Sequence, residues 1–154
     1  MKSILLFCLL LFTSGTVAGQ KRAADSGNVA VVLNELLRLC KNVDFGDPKT
    51  QQLGTFYKAA PYILYRGENQ ARKWKDAADY SLEEDKKGVN EVCYHINQTA
   101  NQDDNYRITA YRSETESEGT WHVLNVAYKK KGKERVTAYA FLFIKGRYRL
   151  GDID

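Results

Sequence analysis

The chain has 154 residues, a length typical of one folded domain and too short for most multidomain architectures. Hydrophobic residues make up 44% of it, charged residues 27%, and only 2 residues are proline, which excludes a disordered, collagen-like or coiled-coil protein. The formal net charge of +4 is not concentrated in a basic, aromatic-rich segment, so we expect no nucleic-acid partner.

Residues 1–19 have the three regions of a secretory signal peptide in the expected order. Lys2 precedes an apolar run that starts at Ile4, and small and polar residues follow. Because a membrane-spanning helix needs about 20 apolar residues, this run is too short for a permanent anchor, and we expect no stable membrane insertion. The sequence predicts a secreted or periplasmic protein that starts at Gln20 after cleavage, with residues 20–27 as a flexible N-terminus.

Residues 28–154 are predicted to form one domain whose first half is helical. Apolar residues recur at helical spacing from Val29 to Cys40. Ser81 and Glu84 match a capping box at the start of a later helix, and Trp74 falls on the apolar stripe of another, where we expect it to be a core residue. The predicted elements are helices at 29–40, 48–61, 69–79 and 82–98, and a brief strand at 62–66.

After Asn105 the apolar pattern changes from the helical period to the alternation of strands. Glycine-containing turns separate the alternating segments, as in a series of hairpins. The predicted strands are 105–114, 120–129, 134–145 and 147–153. Helices followed by an antiparallel meander predict an α+β fold, with the N-terminal helices packed on one face of a curved sheet.

The order of these elements, the short strand running into Arg66-Gly67-Glu68 and the closing segment from Phe141 to Ile153 resemble the NTF2-like (cystatin-like α+β) superfamily. The resemblance covers most of residues 28–154. It implies a sheet that curls round the helices into a cone with an internal pocket, and chains that pair through a sheet face. The predicted helix at 82–98 departs from this pattern, because many members already have sheet at that place.

The sequence lacks nucleotide-binding glycine loops, the nucleophile elbow of hydrolases and any cluster of ligands at metal-binding spacing, so we expect no metal and no cofactor. Enzymes of the NTF2-like superfamily nevertheless use pocket carboxylates, tyrosines and histidines as acids and bases. On that resemblance the catalytic candidates are His122, Tyr139 and Asp152. We favour the other interpretation, in which His122 is an exposed strand residue, Tyr139 packs in a core or interface and Asp152 is solvated.

The strand at 134–145 is apolar on both faces. Alternation places Val136, Ala138, Ala140, Leu142 and Ile144 on one face, and Thr137, Tyr139, Phe141 and Phe143 on the other. Helices cover only one face, and three exposed rings in a row would promote aggregation. We therefore expect the ring-bearing face to meet a pocket, a second subunit in a homodimer, or a partner protein. The residues assigned to a ligand or an interface are Tyr62, Tyr65, Trp121, Tyr139, Phe141 and Phe143.

Cys40 and Cys93 lie on the apolar stripes of two predicted helices, which fits either a disulfide or two buried free thiols. For function, the sequence favours an exported, non-enzymatic binding module that holds a small apolar or amphipathic ligand, or a partner protein, in a pocket or on a sheet face. The alternative is a cofactor-free acid–base enzyme of the isomerase, dehydratase or hydrolase type in the same cavity. A buried contact between His122 and Asp152 would favour the enzyme.

Overall fold

A computed structural model describes residues 14–41, 56–74 and 76–154, with side chains in the first helix described from Asp25 onward. Within these residues there are two α-helices and a four-stranded antiparallel sheet in the order β1-β2-β3-β4. The elements are α1 (Ser14–Cys40), α2 (Glu83–Gln98), β1 (Arg107–Glu116), β2 (Gly119–Lys130), β3 (Lys133–Ile144) and β4 (Arg147–Ile153). The predicted α+β fold is confirmed, with the helices N-terminal to a curved sheet.

The two helices pack through the apolar stripes that the sequence indicates. Their buried residues include Val29, Leu33 and Leu36 in α1, and Val89, Cys93 and Ile96 in α2. Cys40 and Cys93 are joined in a disulfide, with their Cα atoms 4.9 Å apart. Of the two alternatives for this pair, a disulfide or two free thiols, the structure has the disulfide. Residues 20–27, which the sequence predicts to be flexible, belong to α1.

The strands form a simple meander, and their ends lie within two residues of those predicted. Two of the connections are two-residue turns, Lys131-Gly132 and Lys145-Gly146, in which both residues have positive φ values. This conformation matches the right-handed twist of the paired strands, and the glycine at the second position adopts it without strain. Bulges between Ile108 and Ala110 in β1 and at Gly151 in β4, opposite Ala140 and Phe141, bend the sheet.

The predicted helix at 69–79 is wrong: the described residues of this segment form turns and bends. The side chain of Asn69 accepts a hydrogen bond from the Ala71 N–H at 3.0 Å, and that of Asp76 accepts one from the Lys73 N–H at 3.1 Å. Asn and Asp side chains that bind nearby N–H groups stabilise turns at the expense of helix. Ala77 then bridges to Leu64 as extended backbone.

Trp74 consequently does not lie in the core. Its side chain is 39% exposed, with its ring centroid 6.3 Å from that of Trp121 and the Arg66 guanidinium 5.9 Å away. A large loss of stability on replacing Trp74 with alanine, as for a buried tryptophan, is no longer expected.

Most of the predicted helix at 48–61 lies outside the described residues. Its described part forms two short 3₁₀ helices, Phe56–Lys58 and Ala60–Tyr62. The brief strand predicted at 62–66 is reduced to isolated bridges, in which Ile63 pairs with Leu150 and Leu64 with Ala77. These bridges attach the segment to the outer edge of β4.

The start of α2 is stabilised differently from the predicted capping box. Leu82 is the N-cap residue, and the Ser81 hydroxyl donates to Asp79 Oδ1 at 2.7 Å instead of capping the helix. The buried carboxylate of Asp85 accepts the Asp79 N–H at 2.6 Å and an Arg72 N–H at 2.5 Å. Since a buried carboxylate needs such partners, this cluster fixes the preceding loop to α2.

The main core lies between the helices and one face of the sheet. Tyr139 and Phe141 are both 0% exposed and belong to this core, so they meet the helices rather than a partner. The expectation that these two rings meet a pocket, a second subunit or a partner protein, with the helices on the other face, is therefore wrong. Strand alternation was predicted correctly, but the helices cover the face that carries the rings.

Candidate functional site

The sheet face turned away from the helices carries small apolar residues at its centre. We call this surface the open sheet face; it comprises Ala110, Val123, Asn125, Ala127, Val136, Ala138 and Ala140, which the strand register places on one side. None of the described helices covers it. Val136 is 59% exposed and Ala138 and Ala140 are half-buried, while Val123 and Ala127 are buried, at 5% and 3% exposure. A solvated sheet face normally carries polar residues.

One end of the same side of the sheet is covered by a loop. Leu142 and Ile144 are buried there against Leu64, and Trp121 packs against this cluster. Gly151 allows the contact, because a Cβ atom at this position would lie 2.6 Å from the Trp121 ring. The loop covers the sheet only as far as these residues, and the open sheet face begins next to them.

On this side of the sheet, two rows of the register carry opposite charges on the two outer strands: Arg112 with Asp152, and Glu114 with Arg149. In one row, the register runs from Arg112 in β1 across Val123 and Ala140 to Asp152 in β4. Within the chain, Arg112 contacts Glu114 at 2.7 Å and Asp152 contacts Arg66 at 3.1 Å, and all four side chains are about half exposed. These pairs are solvated and weak, so both charged ends remain accessible to a partner.

A second group of polar side chains surrounds His122 on the helix side of the sheet. The His122 Nδ1 atom lies 2.8 Å from the Tyr111 hydroxyl, and the Tyr148 ring meets the imidazole edge to face at 5.0 Å. The Tyr148 hydroxyl donates to Asp25 in α1 at 3.1 Å. Burial lowers the pKa of His122 from 6.5, opposed by the Asp25 carboxylate. Burial, with the Asp25 carboxylate, raises the pKa of Tyr148 to about 12.

The three catalytic candidates do not form one site. His122 and Tyr139 lie on the helix side of the sheet, whereas Asp152 pairs with Ala140 on the opposite side. His122 is 5% exposed, so the expectation of an exposed strand residue is wrong. The Tyr139 hydroxyl shares a hydrogen bond of 2.7 Å with the Thr99 hydroxyl, and burial raises its pKa, so it caps the core below α2.

The remaining aromatic candidates are dispersed. Tyr65 is buried, and one side of its ring is covered by the Arg72 guanidinium at 3.9 Å, while Tyr62 is half-buried against the core. Trp121 lies at the loop-covered end of the sheet, and its Nε1 donates to Glu118 at 3.3 Å. Phe143 is 48% exposed beside Tyr148. These rings therefore do not line a common pocket.

Sequence reasoning missed two features of these surfaces. The proximity of Tyr111, His122 and Tyr148 follows from strand register, which alternation alone does not provide. Asp25 reaches this group from α1, and no local pattern indicates a contact across that sequence distance. The open sheet face did have a signal: small apolar residues alternate through β3 at Val136, Ala138 and Ala140.

Among residues 14–41, 56–74 and 76–154, no group of three or more His, Cys, Asp and Glu side chains is placed to hold a metal ion. In the same part of the chain, no helix combines the length and apolar character needed to cross a membrane. Comparison of the chain with protein-family models, curated proteins and solved structures finds no match.

Proposed function

We propose that this chain is an exported, non-enzymatic binding module that binds protein through its open sheet face, with a second copy of the chain as the partner. The observation that carries the proposal is Val136, which is 59% exposed on β3 beside Ala127 and Ala138, where β4 does not continue the sheet. An exposed apolar surface of this kind is stabilised when another protein covers it. Resemblance to the NTF2-like superfamily, in which chains pair through a sheet face, supports the same proposal.

The packing of the interior supports a surface site over an internal pocket. Leu124, Tyr139 and Phe141 are each 0% exposed and fill the space between the sheet and the helices. A ligand in the cone interior would have to displace these side chains from a close-packed core. The sheet face requires no such rearrangement.

Charge placement favours one orientation of the two copies. A two-fold axis parallel to the strands, between β2 and β3, lays β1 of one copy over β4 of the other. Arg112 then lies opposite Asp152 of the partner subunit, because both belong to one row of the register. An axis across the strands would instead lay β1 over β1 and bring the arginines of the two copies together, and like charges at an interface oppose association.

Sedimentation equilibrium tests the dimer. Wild type should sediment as a dimer, and Val136→Glu should weaken the dimer at least tenfold, because it buries a charge in the interface. Val31→Glu is the matched control: Val31 is 67% exposed on α1, away from the sheet, and its replacement should leave the dimer unchanged.

Charge exchange tests the orientation. Arg112→Glu and Asp152→Arg should each weaken the dimer, and the double variant should recover most of the loss, because the opposite charges again face each other. A wild-type protein that stays monomeric at high micromolar concentration contradicts the dimer. A dimer that tolerates Val136→Glu contradicts the open sheet face as its interface.

Export is the second part of the proposal. The buried Cys40–Cys93 disulfide supports an oxidising compartment, since such bonds rarely persist in the cytosol. We expect N-terminal sequencing of the native protein to begin at Gln20, with residues 1–19 removed as a signal peptide. Recovery of a native protein that still begins at Met1, or one held in membranes after carbonate washing, would contradict export.

The alternative of an acid–base enzyme is less well supported. A catalytic base must reach its substrate, and the His122 side chain is 5% exposed beneath Tyr148 and Asp25. The carboxylate proposed to orient it, Asp152, is on the other side of the sheet and is paired with Arg66. The contacts of His122 are those of a structural histidine.

A further inference from the structure

A cleft of about 370 Å³, which we call the α2 cleft, opens between α2 and the extended segment at residues 63–67. Its volume lies within the range of small-molecule sites. Its apolar lining includes Ile63, Leu64, Ala78, Val89 and Val92, and its charged rim includes Arg66, Glu84, Lys87 and Glu91. A second hollow of about 170 Å³ shares Ile63 and Val92 with it and continues along β4. The cleft has no residue in common with the open sheet face.

Gly88 keeps the middle of the cleft open. It lies inside α2, yet glycine is among the weakest helix formers. A Cβ atom at this position would have no atom within 4 Å, so close packing does not require glycine here, and its backbone is helical. The missing side chain leaves apolar space next to Val89 and Val92.

The cleft also has an unbalanced negative charge at one end. Around its rim, Arg66 is paired with Asp152 at 3.1 Å and Lys87 lies 4.0 Å from Glu91. For the Glu84 carboxylate, the described part of the chain provides no ion-pair partner. The positive end of the α2 dipole, about half a charge, is shared by Glu83, Glu84 and Asp85 in the first turn, so Glu84 keeps most of its negative charge.

Two oxygen atoms lie close to Gly67 at this end of the cleft. The position that a Cβ atom would take on Gly67 is 2.9 Å from Glu84 Oε1 and 2.9 Å from the Tyr65 hydroxyl, and the Tyr65 ring fills that point, with Cε2 at 2.6 Å. The Tyr65 hydroxyl donates its own proton to the Asn69 carbonyl at 3.3 Å, so its lone pairs are available as acceptors. An ammonium group has three N–H donors and no acceptor, so it can bind a carboxylate and a hydroxyl oxygen at the same end of a cleft.

We propose that the α2 cleft binds a small amphipathic cation, a primary alkylammonium. The ammonium group donates to Glu84 Oε1 and the Tyr65 hydroxyl, and the alkyl chain lies over Gly88 against Val89 and Val92. An anionic amphiphile of the same length is repelled by Glu84. The cleft and the open sheet face share no lining residue, so separate variants test the two proposals.

The probe is n-octylammonium, titrated into the purified protein and followed by two-dimensional NMR, with n-octanoate as the anion of the same length. Octylammonium should bind saturably with shifts centred on residues 84–92, and octanoate should bind at least tenfold more weakly. Glu84→Gln should weaken octylammonium binding at least tenfold, because it removes the charge and keeps the shape. Glu83→Gln is the matched control, since that carboxylate is paired with Lys86 and lies outside the cleft.

Filling the cleft provides the second test. Gly88→Leu should abolish octylammonium binding while leaving the helical circular dichroism spectrum intact, because nothing within 4 Å of its Cβ opposes the new side chain. Gly27→Leu, at the other helical glycine with a free Cβ position, should bind as wild type does. Absence of saturable binding, binding that survives in Gly88→Leu, or octanoate that binds as tightly as octylammonium overturns the proposal.

Discussion

Burial of His122 disfavours the charged form of its imidazole. Its imidazole contacts the Tyr111 hydroxyl and the edge of Tyr148, and the nearest carboxylate, Asp25, is engaged by the Tyr148 hydroxyl. Burial lowers the pKa of His122 below 6.5, and the attraction of Asp25 opposes this shift. A buried imidazole without a carboxylate in contact binds a proton less readily in the folded state than in the unfolded state.

This difference predicts how stability depends on pH. The unfolded state takes up a proton at His122 as the pH falls through about 6.5, before the folded state does, so the stabilisation is complete above that pH. It is lost as the pH falls through the lowered pKa of the folded state. The urea midpoint of wild type should therefore decrease between about pH 7.5 and pH 5.0, a window above the titration of ordinary carboxylates.

Two variants separate His122 from the rest of the protein. His122→Gln should show a smaller decrease of the urea midpoint over that pH range. His95→Gln, which replaces an exposed histidine in α2, should behave as wild type does. A wild-type midpoint that stays constant or rises on acidification, or an equal decrease in His122→Gln, would show that another group controls this dependence.

At the level of elements, the sequence predicted what local periodicity determines. The four strands and α2 were predicted within two residues, because alternation and helical spacing act on neighbouring side chains and the Lys-Gly turns end the strands locally. The helix at 69–79 failed for a physical reason: spaced alanines and Trp74 fit a helical stripe, but the Asn69 and Asp76 side chains bind the backbone as turns. Arg72 then reaches Asp85, a contact between elements that periodicity does not encode.

The face assignment of β3 failed for a related reason. Alternation places Tyr139 and Phe141 together and Val136 and Ala138 together, but it does not say which set the helices cover. Large rings fill the space between a curved sheet and helices, so the bulkier face became the core. The candidate surface is therefore the open sheet face, which carries the small residues. Which charged residues of the outer strands share a row follows only from the register of all four strands.

At the level of the whole molecule, the disulfide joins two helices, α1 and α2, that are separated by a long segment of the chain. Cys40 ends α1 and Cys93 lies within α2, 53 positions further along the sequence. Both residues are 0% exposed, so a reductant reaches them only when the protein opens. The chain-entropy model gives about 4 kcal/mol for closing a loop of this length in the unfolded state. That is a large share of the roughly 5–15 kcal/mol typical of folded domains.

Removing the disulfide should therefore lower the free energy of unfolding by about 4 kcal/mol, mainly by freeing the unfolded chain. Urea unfolding of the Cys40→Ala and Cys93→Ala double variant measures this loss. Wild type equilibrated with excess dithiothreitol at each urea concentration should lose a similar amount, whereas the double variant should be insensitive to the reductant, which serves as the control. A double variant as stable as oxidised wild type would contradict the entropic contribution of the bond. A wild type whose cysteines react with thiol reagents in the native state would contradict the bond itself.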